Sequence, residues 1–295
     1  MSFRILVCGA EADLAQAFIR AMEDYPYSLI IPASDVFDWR DAAAVSSLFN
    51  EKSPSAVVQF PERSRHCSER DVERAKVLAL QCQTKSIPLL LCSSFVLFGE
   101  GYQQGSALES TPPELDHDNA KRFYRCEQAA LKLDHSIVLR LPWVLDEAGD
   151  CLLNHIASPL LSGQLAAASD HHKLGLVSTD FAIRSLTAML QQIFCGAENW
   201  GVFHLHSADT CTEAEFVDAT VRNINAETSL ELPMPEIIAG RDEGRLLRGN
   251  AHIIGARCTD NFGIQLPTWR VGFKTIVRRW LHGRGMLPDL RRVAR

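Results

Sequence analysis

The side chains of this 295-residue chain that could do chemistry are nine cysteines, ten histidines, four tyrosines and a few well-placed serines and acids. The cysteines (8, 67, 82, 92, 126, 151, 195, 211 and 258) are widely spaced, odd in number and contain no Cys-x-x-Cys pair. Six sit in or beside apolar runs, so they read as reduced thiols of core or surface rather than a metal site or disulfide framework. His171-His172 and His204-x-His206 have no neighbouring Asp/Cys grouping to complete a ligand set, and no metal is expected. Tyr124 offers acid–base chemistry. It stands three residues after Lys121 and beside Arg125, and a helix puts Lys121 and Tyr124 on one face.

Composition narrows the frame for such groups. Hydrophobic residues make up 46% and charged residues 22%, which excludes disordered, collagen-like and coiled-coil chains. The longest apolar runs, such as 87–92 and 95–98, fall far short of the roughly 20 residues that cross a bilayer. Met1-Ser2-Phe3-Arg4 leads straight into a strand without a cleavable signal pattern, so a cytoplasmic protein without a membrane partner is expected. Residues 270–295 carry a net charge of +7 and leave −13 for the rest. That tail reads either as a basic face lying on the chain's own acidic body or as a docking segment for a protein partner; nucleic acid is not expected.

Apolar patterning orders the elements. Strands are predicted at 4–8, 29–32, 56–59, 87–92 and 136–141. Helices fall between them, one capped by Asp41 and others at about 67–84 and 119–133. A helix near 180–194 and a strand at 202–206 follow, and the segment after Asp209 reads as a smaller unit. Alternating strands and helices predict an α/β fold, a doubly wound parallel sheet with helices on both faces.

Short motifs in this order carry a resemblance. They are Ile5-Leu6-Val7-Cys8-Gly9, Phe37-Asp38-Trp39-Arg40-Asp41, Cys92-Ser93-Ser94-Phe95-Val96-Leu97-Phe98 and Arg140-Leu141-Pro142-Trp143-Val144. Ser178-Thr179-Asp180-Phe181-Ala182, Gly201-Val202-Phe203-His204-Leu205 and Phe262-Gly263-Ile264-Gln265-Leu266-Pro267-Thr268-Trp269-Arg270 continue it. Together they resemble the extended short-chain dehydrogenase/reductases of the dTDP-4-dehydrorhamnose reductase type over nearly the whole chain. The resemblance implies a Rossmann-like domain at 1–145, completed by about 176–206. It also implies a smaller C-terminal α/β substrate lobe from 146–175 and 207–295, and a homodimer pairing through the long helices.

The same resemblance implies an NAD(H) or NADP(H) site at Gly9, Ala12, Ala15, Asp38, Trp39, Gln59 and Ser93. Such families place Gly-x-x-Gly-x-x-Gly where this chain has Gly9-Ala10-Glu11-Ala12-Asp13-Leu14-Ala15. Glycines let the diphosphate approach backbone N–H groups at a helix N-terminus. Here alanines replace two of them, and Glu11 and Asp13 bring negative charge to the phosphate position. Asp38 reads either as the adenosine-side acid or as a polar strand end. Gln59-Phe60-Pro61 is bulkier than the small residues such families prefer. The site is expected to be compromised, with no preference for NADPH over NADH.

Reduction in the resembling enzymes uses a Ser or Thr with Tyr-x-x-x-Lys, the lysine lowering the tyrosine's pKa. Ser94 takes the hydroxyl position. Alignment on Glu127 puts Asn119 at the tyrosine position and Phe123 at the lysine position. Residues four beyond Tyr25, Tyr27, Tyr102 and Tyr124 are Leu29, Ile31, Ser106 and Gln128, so the pair exists nowhere in the chain. Trp143 reads either as the residue that packs on the sugar of a nucleotide-sugar or as a core tryptophan, and Arg248 falls near a phosphate-contacting segment.

The expectation is a reductase-like chain that has lost its chemistry, acting as a nucleotide- or sugar-nucleotide-binding, regulatory or scaffolding module. The alternatives are an active NAD(P)-dependent reductase or epimerase with a rearranged acid at Tyr124 or Ser94, and a pure interaction protein using the basic tail.

Overall fold

A computed structural model describes residues 3–33, 37–63, 65–98, 105–149, 151–164, 167–171, 173–238 and 251–287. Its centre is a six-stranded parallel sheet built from β1 (Phe3–Cys8), β2 (Tyr27–Ile30), β3 (Ala56–Gln59), β4 (Leu89–Ser94), β5 (Ser136–Leu141) and β10 (Gly201–His204). The order β10-β5-β4-β3-β1-β2 reverses direction between β1 and β3, the point where sheets of this kind open a ligand crevice at their C-terminal ends. The strands are short buried runs because helices cover both faces. In β1, Ile5 and Val7 enter one core and Leu6 and Cys8 the other, the two-residue alternation of a strand.

On one face lie α1 (Asp13–Ala21) and α6 (Thr179–Phe194); on the other lie α2 (Ala42–Lys52), α3 (Glu69–Lys85) and α4 (Asp118–Ala130). Local chemistry sets their starts. Asp41 accepts hydrogen bonds from the Ala43 and Ala44 N–H groups, as its sequence position predicts. Ser68 and Asp71 form a reciprocal capping box at the start of α3.

The remaining strands pair only in twos: β6 (Trp143–Leu145) with β9 (Leu176–Ser178), β7 (Ala167–Ser169) with β12 (Glu236–Ile238), and β8 (Lys173–Leu174) with β11 (Cys211–Thr212). Helices α5 (Leu152–Leu161), α7 (Glu213–Glu227) and α9 (Phe273–Gly283) surround them, and α8 (Arg257–Phe262) packs beside β10. One core runs without a break from Leu6 in the sheet to Trp280 on α9. Among the described residues, no helix is long and apolar enough to cross a membrane.

The basic segment is largely engaged by the chain's own acids. Arg270 meets Asp209 at 2.8 Å, Lys274 and Arg278 meet Glu227 at 3.4 and 3.6 Å, and Arg279 meets Glu147 at 3.9 Å. Of the two readings of the tail, the face lying on an acidic body describes residues 270–287; residues 288–295 lie outside the described residues.

Candidate functional site

The crevice at the β1/β3 reversal is walled by Ala12, Phe60, Pro61, Cys92, Ser93 and Pro142. Its enclosed space is about 10 Å3, about one water's worth. Gly9 turns the chain out of β1 at φ +76°, and a Cβ there would run into the Phe60 carbonyl oxygen. The surviving glycine thus lets the segment after β3 lie against the turn. Ala15 is buried under α1, and Ala12, its N-cap, supplies no capping side chain.

The charge at this turn differs from the sequence expectation in one respect. Glu11 is not an uncompensated anion: the Arg74 guanidinium, almost wholly buried, lies 3.8 Å from its carboxylate. Arg74 also donates to the Phe60 carbonyl at 3.1 Å and pairs with Asp71, so it ties α3 to the turn from below. Asp13 keeps its place in the first turn of α1, and Gly149 packs so closely on its carboxylate that a Cβ there would collide. Glu147, two residues before Gly149, has its pKa raised by burial, and then by Asp146, while Arg279 opposes the shift.

Asp38, expected on the adenosine side of a cofactor, is exposed, and both of its oxygens are taken by Arg40, at 3.0 and 3.1 Å. That hydrogen bonding holds the Asp38 carboxyl below its ordinary pKa. Trp39 packs edge-on against Phe37. Gln59 is buried; its amide donates to the Asp71 carbonyl at 3.2 Å, while its Oε1 has no partner among the described residues. The described walls of this crevice are apolar apart from Ser93, and none of them is a carboxylate.

The positions aligned with the catalytic pair have structural occupations. Asn119, at the start of α4, accepts from the Cys67 N–H at 2.8 Å and donates to the Arg65 carbonyl at 2.7 Å. Phe123 is buried in the core. Ser94 is buried and caps the short turn at residues 95–97, its Oγ 3.4 Å from the Val96 N–H. Tyr124 is half-buried against the same core. The cations that the sequence places beside it are turned to acids, Lys121 to Asp118 at 3.4 Å and Arg125 to Glu69 at 2.9 Å.

Ser93 leads into a buried polar chain that spacing alone does not reveal. Its hydroxyl donates to Glu127 at 2.6 Å, and Glu127 is held bidentately by Arg140 at 2.9 and 2.7 Å. Arg140 also faces His204 Nε2 at 3.3 Å, while His204 Nδ1 donates to the Ile254 carbonyl at 3.0 Å. Burial first, and Arg140 second, push the His204 pKa down to about 3, so the ring stays neutral and accepts from the guanidinium. The sequence singles out Ser93 and Glu127 separately and places Arg140 and His204 in motifs, but no spacing joins the four.

Trp143 is buried. Arg65 lies over its ring at 4.1 Å, His155 meets its edge at 5.8 Å and Phe95 packs at 5.4 Å. Its Nε1 has no hydrogen-bond partner among the described residues. Arg248, Asn250, Tyr102 and His172 lie outside the described residues. Among the described residues, no group of three or more His, Cys, Asp or Glu side chains is placed to hold a metal.

The parallel order and the crevice at its reversal define a Rossmann-like fold. The RmlD substrate binding domain model matches residues 3–281, and the chain belongs to that family. No curated protein matches the sequence. Among solved structures, a dTDP-4-dehydrorhamnose reductase from Clostridium acetobutylicum is similar at 14% identity, TM-score 0.76, over 94% of this chain and 99% of that one. One from Bacillus anthracis in complex with NADP is similar at 14% identity, TM-score 0.72, over 94% and 98%. The Bordetella bronchiseptica enzyme WbmG in complex with NAD and UDP is similar at 14% identity, TM-score 0.75, over 97% of each chain. At this identity the solved structures share the fold of this chain.

Proposed function

We propose that this protein is a catalytically degenerate member of its family that acts as a nucleotide- or sugar-nucleotide-binding regulatory module and does not reduce a sugar. One observation carries the reading: the two positions that would supply the acid and the cation are Asn119, whose amide is used by the backbone of Arg65 and Cys67, and Phe123, which is core. A carboxamide is no acid comparable to a phenol, and a phenyl ring carries no charge. The carboxylates of Glu11 and Asp13 at the turn after β1, and the alanines in place of glycines, support weak dinucleotide binding, whether NAD(H) or NADP(H).

The division of labour implied by the family supports residues 1–145 with 176–206 as the nucleotide side and 146–175 with 207–295 as the sugar side. The relative from Bordetella bronchiseptica was solved with UDP, which makes UDP and dTDP the first ligands to try. Titration of the purified chain with UDP, dTDP, NADH and NADPH, followed by tryptophan fluorescence and calorimetry, tests the reading. Binding of a nucleoside diphosphate with no reductase turnover is expected; turnover of a nucleotide-4-keto sugar would overturn it.

A further inference from the structure

Cys67 and Cys126 place their sulfurs 3.6 Å apart, although 59 residues separate them in sequence. Cys67 lies just before α3, and Cys126 projects from the middle of α4. Both are buried, yet both line a crevice shared with Gln59, Pro61, Cys92 and Ser93, whose enclosed space is about 10 Å3. That admits a molecule of about water's size and excludes a bulky peptide disulfide. A disulfide needs its sulfurs at about 2.05 Å, so the pair must close by about 1.5 Å.

The backbone between these sulfurs is already gathered onto α4. Asn119 holds the Cys67 N–H and the Arg65 carbonyl, and Arg122 donates to the Cys67 carbonyl at 2.6 Å. Segment 65–67 also carries the guanidinium that covers Trp143. A covalent bond at Cys67 would fasten to α4 a segment that non-covalent contacts now hold.

We propose that Cys67 and Cys126 are a peroxide-oxidisable pair that closes to a reversible disulfide between the segment after β3 and α4. One thiol, deprotonating, attacks an oxygen of hydrogen peroxide, which leaves a sulfenic acid and releases water. The second sulfur then attacks that sulfenic sulfur, the S–O bond breaks, and the hydroxide takes up the second thiol's proton to leave as water. In balance, two thiols and one peroxide give one disulfide and two waters, with two electrons passing from sulfur to peroxide. The contact with Cys126, and then burial, push the Cys67 thiol pKa up, so the reaction is slow.

The test uses the full-length chain with the exposed Cys195 replaced (Cys195→Ser), to prevent links between molecules. After treatment with hydrogen peroxide, alkylation and trypsin digestion, mass spectrometry is expected to find peptide 66–70 joined to peptide 126–132. The link should disappear on reduction and fail to form in Cys126→Ser. The oxidised chain should melt at a higher temperature than the reduced one, a difference that Cys126→Ser abolishes. Sulfinic acid at either residue without the link, a link through Cys92 instead, no oxidation at all, or a lower melting temperature for the linked chain would overturn the proposal.

Discussion

Asn119 uses both ends of its amide on the backbone of residues 65 and 67, across more than 50 positions of sequence. Asn119→Ala is therefore expected to lower stability by about 1–3 kcal/mol, because a donor and an acceptor lose their partners in a half-buried setting; a urea midpoint measures it. Glu127 is the more demanding residue. Removing it leaves Arg140 charged and buried, and Glu127→Ala should cost about 3–5 kcal/mol, or prevent folding, by the same measurement. A loss under 1 kcal/mol would show that the Ser93–Glu127–Arg140 chain is not closed as described. The sequence told the absence of a catalytic pair plainly, since a missing Tyr-x-x-x-Lys needs no structure. It could not tell that Arg74 answers Glu11, or that Arg65 covers Trp143. Those partners meet through the fold, and no spacing rule connects residue 11 with 74 or 65 with 143.

At the scale of elements, β10 brings His204 into the sheet beside Arg140 and makes stability depend on pH. In the unfolded chain this imidazole binds a proton as pH falls below its ordinary value of 6.5; in the folded chain it does so only near 3. The unfolded state then holds more protons, so the stabilisation present above pH 6.5 is lost as pH falls from 6.5 toward 3, at up to about 1.4 kcal/mol per pH unit for one proton. Urea unfolding at several pH values in this window should give a shallower slope for His204→Gln than for the parent chain; equal slopes would contradict the assignment. Strands 56–59 and 136–141 are observed as the sequence predicts them, because buried parallel strands read as bounded apolar runs. Prediction places the strand at 202–206, whereas β10 ends at His204. Beyond it, His206 Nδ1 bonds to the Ser207 carbonyl and leaves the ladder, a local turn that hydrophobic patterning does not register.

For the whole molecule, the charge asymmetry of the sequence is largely resolved within the chain. Glu227 on α7 receives Lys274 and Arg278 from α9, both well exposed, so Glu227→Gln should change stability by less than about 1 kcal/mol, and less again in high salt. A larger, salt-insensitive loss would assign α9 a structural role beyond its apolar face. The fold was legible because motif order and strand–helix alternation run almost the length of the chain. The proposed site was legible only as a set of departures from the resembling family, and the structure gives those positions other uses: backbone anchoring at Asn119, core at Phe123, and at Pro61 a wall of the crevice after β3. The most direct test is the rate at which the purified chain oxidises NADH or NADPH in the presence of a nucleotide-4-keto sugar. A rate equal to the blank is predicted for the parent chain and for Tyr124→Phe alike. Consumption by the parent chain that disappears in Tyr124→Phe would contradict the account.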